Sequence, residues 1–119
     1  MTTRTTYSQS HHVYFITFTC LQWLPLFEIT ALYDYIYDWF ARLRKDSNQL
    51  IGYVIMPNHI HLLLFIPDRS KPVNDIIKEG KRFMAYEIVK WLKQLNRKDI
   101  LMKLSSALTD KGKEKRKVS

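Results

Sequence analysis

Apolar residues recur along this chain at two different periods, and the alternation of the two predicts its elements. Residues 11–20 (HHVYFITFTC) are β-branched, aromatic and apolar at both parities, which predicts a strand covered on both faces. The stretch 21–27 contains Pro25 and reads as a connection. From about residue 29 to 45 the spacing changes to three and four. Ile29, Leu32, Tyr33, Ile36, Trp39, Phe40 and Leu43 fall together, and Asp34, Asp38 and Arg42 fall opposite them. That is an amphipathic helix of about four turns with an Asp38–Arg42 pair at i, i+4.

After a polar turn at 46–48, residues 49–56 (QLIGYVIM) and 58–66 (NHIHLLLFI) form two apolar runs separated by Pro57 and Asn58. So short a separation predicts an antiparallel hairpin. The PDRSK segment at 67–71 breaks the second strand, and Pro72 stands where a helix tolerates proline, in its first turn. A second long helix is expected from 72 to about 95. Its apolar stripe is Val73, Ile77, Met84, Ile88, Trp91 and Leu95, and Gly80 lies on that stripe as the place for a close helix contact. A short third helix is expected over 99–108.

The resulting order, β-α-β-β-α, predicts an α+β protein with a ferredoxin-like antiparallel sheet and helices on one face. Such a sheet needs one more strand, and no candidate follows residue 95. The expectation is therefore that the last strand is missing or supplied by another chain. Residues 1–10 are expected to be a flexible N-terminus, 11–108 the folded domain, and 109–119 a disordered basic tail.

Composition changes this picture only in places. With 119 residues there is room for one modest core. The single cysteine, Cys20, excludes a disulfide framework and a CxxC zinc cluster. No apolar run approaches the roughly 20 residues that cross a bilayer, and the polar N-terminus lacks a signal sequence, so a reducing cytoplasm is the expected setting. The net charge of +8 is unevenly placed. Residues 1–70 carry five basic and five acidic side chains, whereas 71–98 carry eight basic and three acidic. A basic half on a neutral scaffold points to a polyanionic partner, nucleic acid before membrane. Lys78, Lys81, Arg82, Lys90, Lys93 and Arg97 are the residues placed to follow a nucleic-acid backbone, each through salt-dependent phosphate contact. A solvated helix face is the plainer account of any one of them.

The sharpest chemical feature is His59-Ile60-His61, set directly after Pro57-Asn58 and followed by Leu62-Leu63-Leu64. Two residues apart on a strand, the imidazoles share a face while Ile60, Leu62 and Leu64 point the other way. Such a pair can give adjacent ligands to a divalent metal; hydrogen-bonded histidines at a sheet edge are the alternative. His11 and His12 read as surface imidazoles, with a third-ligand role as the alternative. Cys20 reads as a small buried apolar residue. Trp23, Trp39 and Trp91 fit core or interface packing better than base stacking.

These residues resemble a known family. The strand VYFITFT at 13–19, the block GYVIMPNHIHLL at 52–63 and the segment NDIIKEGKRFMAYEIVK at 74–90 look like the single-tyrosine HUH transposases, the insertion-sequence-200-like and REP-associated group. The resemblance covers about residues 11–95. It implies a ferredoxin-like homodimer that cuts and rejoins single-stranded DNA near hairpins. It implies further that His59 and His61 hold Mg²⁺ or Mn²⁺ against the scissile phosphate, while a tyrosine on a later helix forms a 5′-phosphotyrosine link. In REP-associated relatives that tyrosine follows the lysine-rich segment in a Tyr-Ile-His-x-Asn-Pro-like stretch. No such stretch occurs before Ser119, so the resemblance implies a C-terminally truncated member. Tyr86, flanked by Arg82 and Lys90, is the one tyrosine after the histidines and the alternative nucleophile within the chain. A non-catalytic nucleic-acid-binding module is the competing function.

Overall fold

The computed structural model describes residues 2–8, 12–67 and 71–118, with side chains described at 12–67 and 71–108. Its sheet strands are β1 (Thr2–Ser8), β2 (Val13–Thr19), β3 (Gln49–Met56) and β4 (His59–Phe65). The helices are α1 (Leu26–Ile29), α2 (Tyr33–Lys45), α3 (Val73–Gln94) and α4 (Lys98–Val118). The sheet is antiparallel throughout in the order β1-β2-β4-β3. The α+β class and the β3–β4 hairpin across Pro57-Asn58 match the sequence pattern.

Several expectations are corrected. Residues expected to be a flexible N-terminus form β1, which pairs with β2 from Thr2 opposite Thr19 to Ser8 opposite Val13. The sheet therefore has its fourth strand, and that strand comes from the start of the chain rather than from its end or from another chain. The physical reason is the free edge of β2, whose unpaired backbone groups are met most cheaply by the segment just before it. The threonine-rich sequence TTRTTYS has the β-branched character that suits a strand. At the other end, α4 continues as helical backbone to Val118, through the stretch expected to be a disordered tail and well past the short helix expected at 99–108.

The second correction concerns coverage. Ile16 and Phe18 of β2 and Ile60, Leu62 and Leu64 of β4 are buried with Ile36, Trp39 and Phe40 of α2 and with Ile76, Met84, Ile88 and Leu92 of α3. Phe18 meets Trp39 edge to face at 5.4 Å. All these strand residues share one parity, so the helices lie on one face of the sheet. The opposite face of β2, expected to be covered, bears the exposed Phe15. The molecule measures 43 × 38 × 19 Å, and the shortest dimension accommodates one sheet and one helix layer.

The third difference is where the first long helix begins. Ala31 is left-handed (φ 50°), and the N–H groups of Ala31 and Leu32 donate to Glu28 O (3.1 Å) and Phe27 O (2.9 Å). This Schellman closure ends α1 before α2 begins. Ser47 (φ 72°) closes α2 in the same way and Asn96 (φ 57°) closes α3. The last closure leaves Leu95 exposed at the end of the stripe predicted to bury it. Gly80 occupies the close approach expected of it, against α2: a Cβ there would stand 2.5 Å from the Trp39 indole.

Candidate metal and nucleic-acid site

His59 and His61 project from the helix-free face, as the strand period requires. Their neighbours Ile60 and Leu62 are fully buried on the other side. The two imidazole centroids are 4.8 Å apart. Each ring is held through Nδ1. His61 Nδ1 shares a hydrogen bond of 3.0 Å with Thr17 Oγ1, the residue directly opposite it on β2. His59 Nδ1 lies 2.7 Å from Asn58 Oδ1. The Asn58 amide is oriented by its other end, since Nδ2 donates to the Trp23 carbonyl at 3.4 Å. An amide oxygen only accepts, so His59 Nδ1 carries the proton and donates it. In the neutral ring the lone pair is then on Nε2.

For His59 this is the arrangement by which an outer hydrogen bond fixes the tautomer of a metal-ligating imidazole, while the Thr17 hydroxyl, which can donate or accept, orients the His61 ring. The donor set therefore suits a divalent metal, with His59 and His61 as the residues that would hold it. Among the described residues no group of three His, Cys, Asp or Glu converges on a metal position. His12 is excluded as the third ligand by register. It precedes Val13, which pairs with Phe65, whereas His59 pairs with Thr19, so the two histidines stand ~20 Å apart along the strands. His11 lies outside the described residues.

The turn that aims His59 is fixed from a neighbouring segment. Cys20 N donates to Asn58 O at 2.9 Å and Phe27 N to Pro57 O at 3.1 Å. Burial pushes the Cys20 thiol up to about 11, so it is protonated at neutral pH and serves as an apolar residue here.

Between Cys20 and Phe27 the chain makes a tight turn, Leu21–Trp23, in which Gln22 (φ 55°) and Trp23 (φ 58°) are both left-handed. Trp23 is 66% exposed and stands edge-on to His59 with centroids 6.2 Å apart. Phe15 is 43% exposed and stacks on His61 at 5.5 Å. Of the three tryptophans, Trp39 is buried in the core and Trp91 packs on Tyr35, whereas Trp23 lies outside the core.

Tyr86 is on the other side of the molecule. It is 68% exposed on the outer surface of α3, whose inner residues Met84 and Ile88 pack in the helix-side core. The sheet and the helix layer separate its hydroxyl from the histidines, which corrects its candidacy as nucleophile at this pair. Among the described side chains of β2, β3 and β4, no tyrosine shares the histidine face: Tyr14 and Tyr53 pair with Leu64 and Leu62 on the helix side.

The basic residues follow α3. Lys78, Arg82, Lys90 and Lys93 are exposed, and Lys81 is half-buried. Lys90 reaches over the Trp91 ring at 5.7 Å. Arg97 is engaged by Asp99 at 3.2 Å, an ion pair that holds the Asp99 carboxyl below its usual range. Cations and histidines thus occupy opposite surfaces. The sequence pattern pointed to neither Thr17 nor Trp23 as part of the site. A threonine opposite a histidine becomes visible only with the strand register, and exposure of a tryptophan only with the turn.

No protein-family model, curated protein or solved structure matches the chain. Among the described residues no helix is long and apolar enough to cross a membrane.

Proposed function

We propose that this chain is the metal- and DNA-binding part of a single-strand DNA transferase of the single-tyrosine HUH transposase type, working in the cytoplasm as a homodimer on hairpin-bearing DNA. The observation that supports this reading is the pair of histidines on the uncovered sheet face, each ring held through Nδ1 and so with Nε2 as the nitrogen left for a ligand. Mg²⁺ or Mn²⁺ bound there supplies charge neutralisation on the non-bridging oxygens of a phosphodiester. The strand holds the two imidazoles, Thr17 and Asn58 orient them, and the basic surface of α3 attracts the polyanion.

In the transferase reaction a tyrosine oxygen bonds to phosphorus as the bond to the 3′ oxygen breaks. The phenol gives up its proton, the 3′ oxygen gains one, and the reverse step rejoins the strand. That tyrosine belongs outside the described face. The lack of a tyrosine on the histidine face among the described residues favours a second reading, a non-catalytic nucleic-acid-binding module that keeps the metal pair.

The test combines Mn²⁺ titration with labelled single-stranded hairpin DNA on native and denaturing gels. The expected result is Mn²⁺ binding lost in His59→Ala and His61→Ala, salt-sensitive hairpin binding, and no change in either for Tyr86→Phe. Mn²⁺ affinity unchanged by His59→Ala overturns the metal reading. A covalent adduct favours the transferase, and hairpin binding without one favours the binding module.

A further inference from the structure

Trp23 is the most exposed of the three tryptophans. Its indole is 66% exposed, and both it and Gln22 hold left-handed backbone, a conformation that costs a non-glycine residue energy and that persists where surrounding contacts impose it. The turn that holds it is closed by Trp23 N donating to Cys20 O at 3.1 Å and is tied to the site, because the Trp23 carbonyl receives the Asn58 amide that orients His59. On the other side of the pair, Phe15 stacks on His61 with an interplanar angle of 19° and leaves part of its ring open. Four rings, Trp23, His59, His61 and Phe15, therefore form one row across the helix-free face, half-buried at the histidines and exposed at its two ends. No acidic residue occurs in β2, β3 or β4, and the chain carries +8, so nothing in these strands repels a phosphate.

We propose that Trp23 is a stacking platform for one unpaired nucleobase, with Phe15 extending the row, so that this face takes single-stranded rather than duplex nucleic acid. This rests on the DNA-binding reading above and adds the residue that would choose the form of the strand. A base can lie on an indole only when it is out of a duplex stack, and such stacking is tolerant of base identity. The Trp23 and His59 centroids are 6.2 Å apart, so a base on the indole would lie next to the histidine pair.

The test uses the full chain and a short oligodeoxythymidylate in metal-free buffer, followed by tryptophan fluorescence and anisotropy. Trp39 is buried and Trp91 half-buried, so quenching reports chiefly on Trp23. The expected results are quenching by the single strand and not by duplex of the same length, affinity roughly tenfold weaker in Trp23→Ala, and most of it kept in Trp23→Phe. Unchanged affinity in Trp23→Ala, or equal quenching by duplex, overturns the platform. A parallel Mn²⁺ titration separates the two readings. Wild-type Mn²⁺ affinity in a Trp23→Ala variant that has lost the oligonucleotide supports the platform. A wild-type chain that binds no Mn²⁺ overturns the metal reading, while the oligonucleotide comparison still decides the platform.

Discussion

At the scale of single residues, the polar positions that count are those tied to another polar group. His59 and His61 sit on a strand otherwise made of leucine, isoleucine and phenylalanine, and each has its Nδ1 partnered. Asn58 is the more informative partner, because its amide is oriented at both ends and so dictates which imidazole nitrogen is protonated. Asn58→Ala removes that acceptor and should weaken Mn²⁺ binding by about 10- to 100-fold. Asn58→Asp keeps an oxygen there and should retain most of the affinity. Nitrogen-15 shifts of the His59 ring provide the check: the Nδ1–H tautomer should dominate in the wild type and mix with the Nε2–H form in Asn58→Ala.

At the scale of elements, the chain closes its helices without glycine. Ala31, Ser47 and Asn96 take the left-handed positions, while Gly80 is spent inside a helix, where glycine is costly. Its use is the contact between α2 and α3. A methyl group at position 80 meets the Trp39 indole, itself wedged against Phe18 under the sheet. Overpacking of this kind costs about 1–3 kcal/mol, offset by about 1 kcal/mol of helix propensity gained on leaving glycine. Gly80→Ala should therefore lower stability by about 0–2 kcal/mol, read from the urea midpoint. A stabilised variant would mean that Trp39 can move aside.

At the scale of the molecule, a one-sided sheet divides the surface. One side carries the imidazoles and exposed aromatic rings; the other carries the α3 cations. If the cations hold backbone phosphates of the same DNA, the strand must pass around an edge of the molecule, and the two surfaces should be separable by mutation. Replacing Lys78, Arg82 and Lys90 with glutamine should reduce the slope of log affinity against log salt for single-stranded DNA by about 0.7 per phosphate contact, about 2 in all. Mn²⁺ affinity should stay at the wild-type value. A change in Mn²⁺ affinity would show that the two sides are coupled.

The periods in the sequence by themselves determined much of this. Apolar spacing marked α2 and α3, Pro57-Asn58 marked the hairpin, and the two-residue step of His59-Ile60-His61 required both imidazoles to share a face. These are local consequences of backbone geometry, and local geometry can be read along one segment. The tertiary structure decided what depends on partners distant in the chain. Along the chain 44 residues separate Thr17 from His61, and 35 separate Asn58 from Trp23. It also decided which face of β2 stays open and that Tyr86 lies across the molecule from the histidines. An apolar residue such as Phe15 suits either face of a strand by composition alone, and only the placement of the helix layer selects between them.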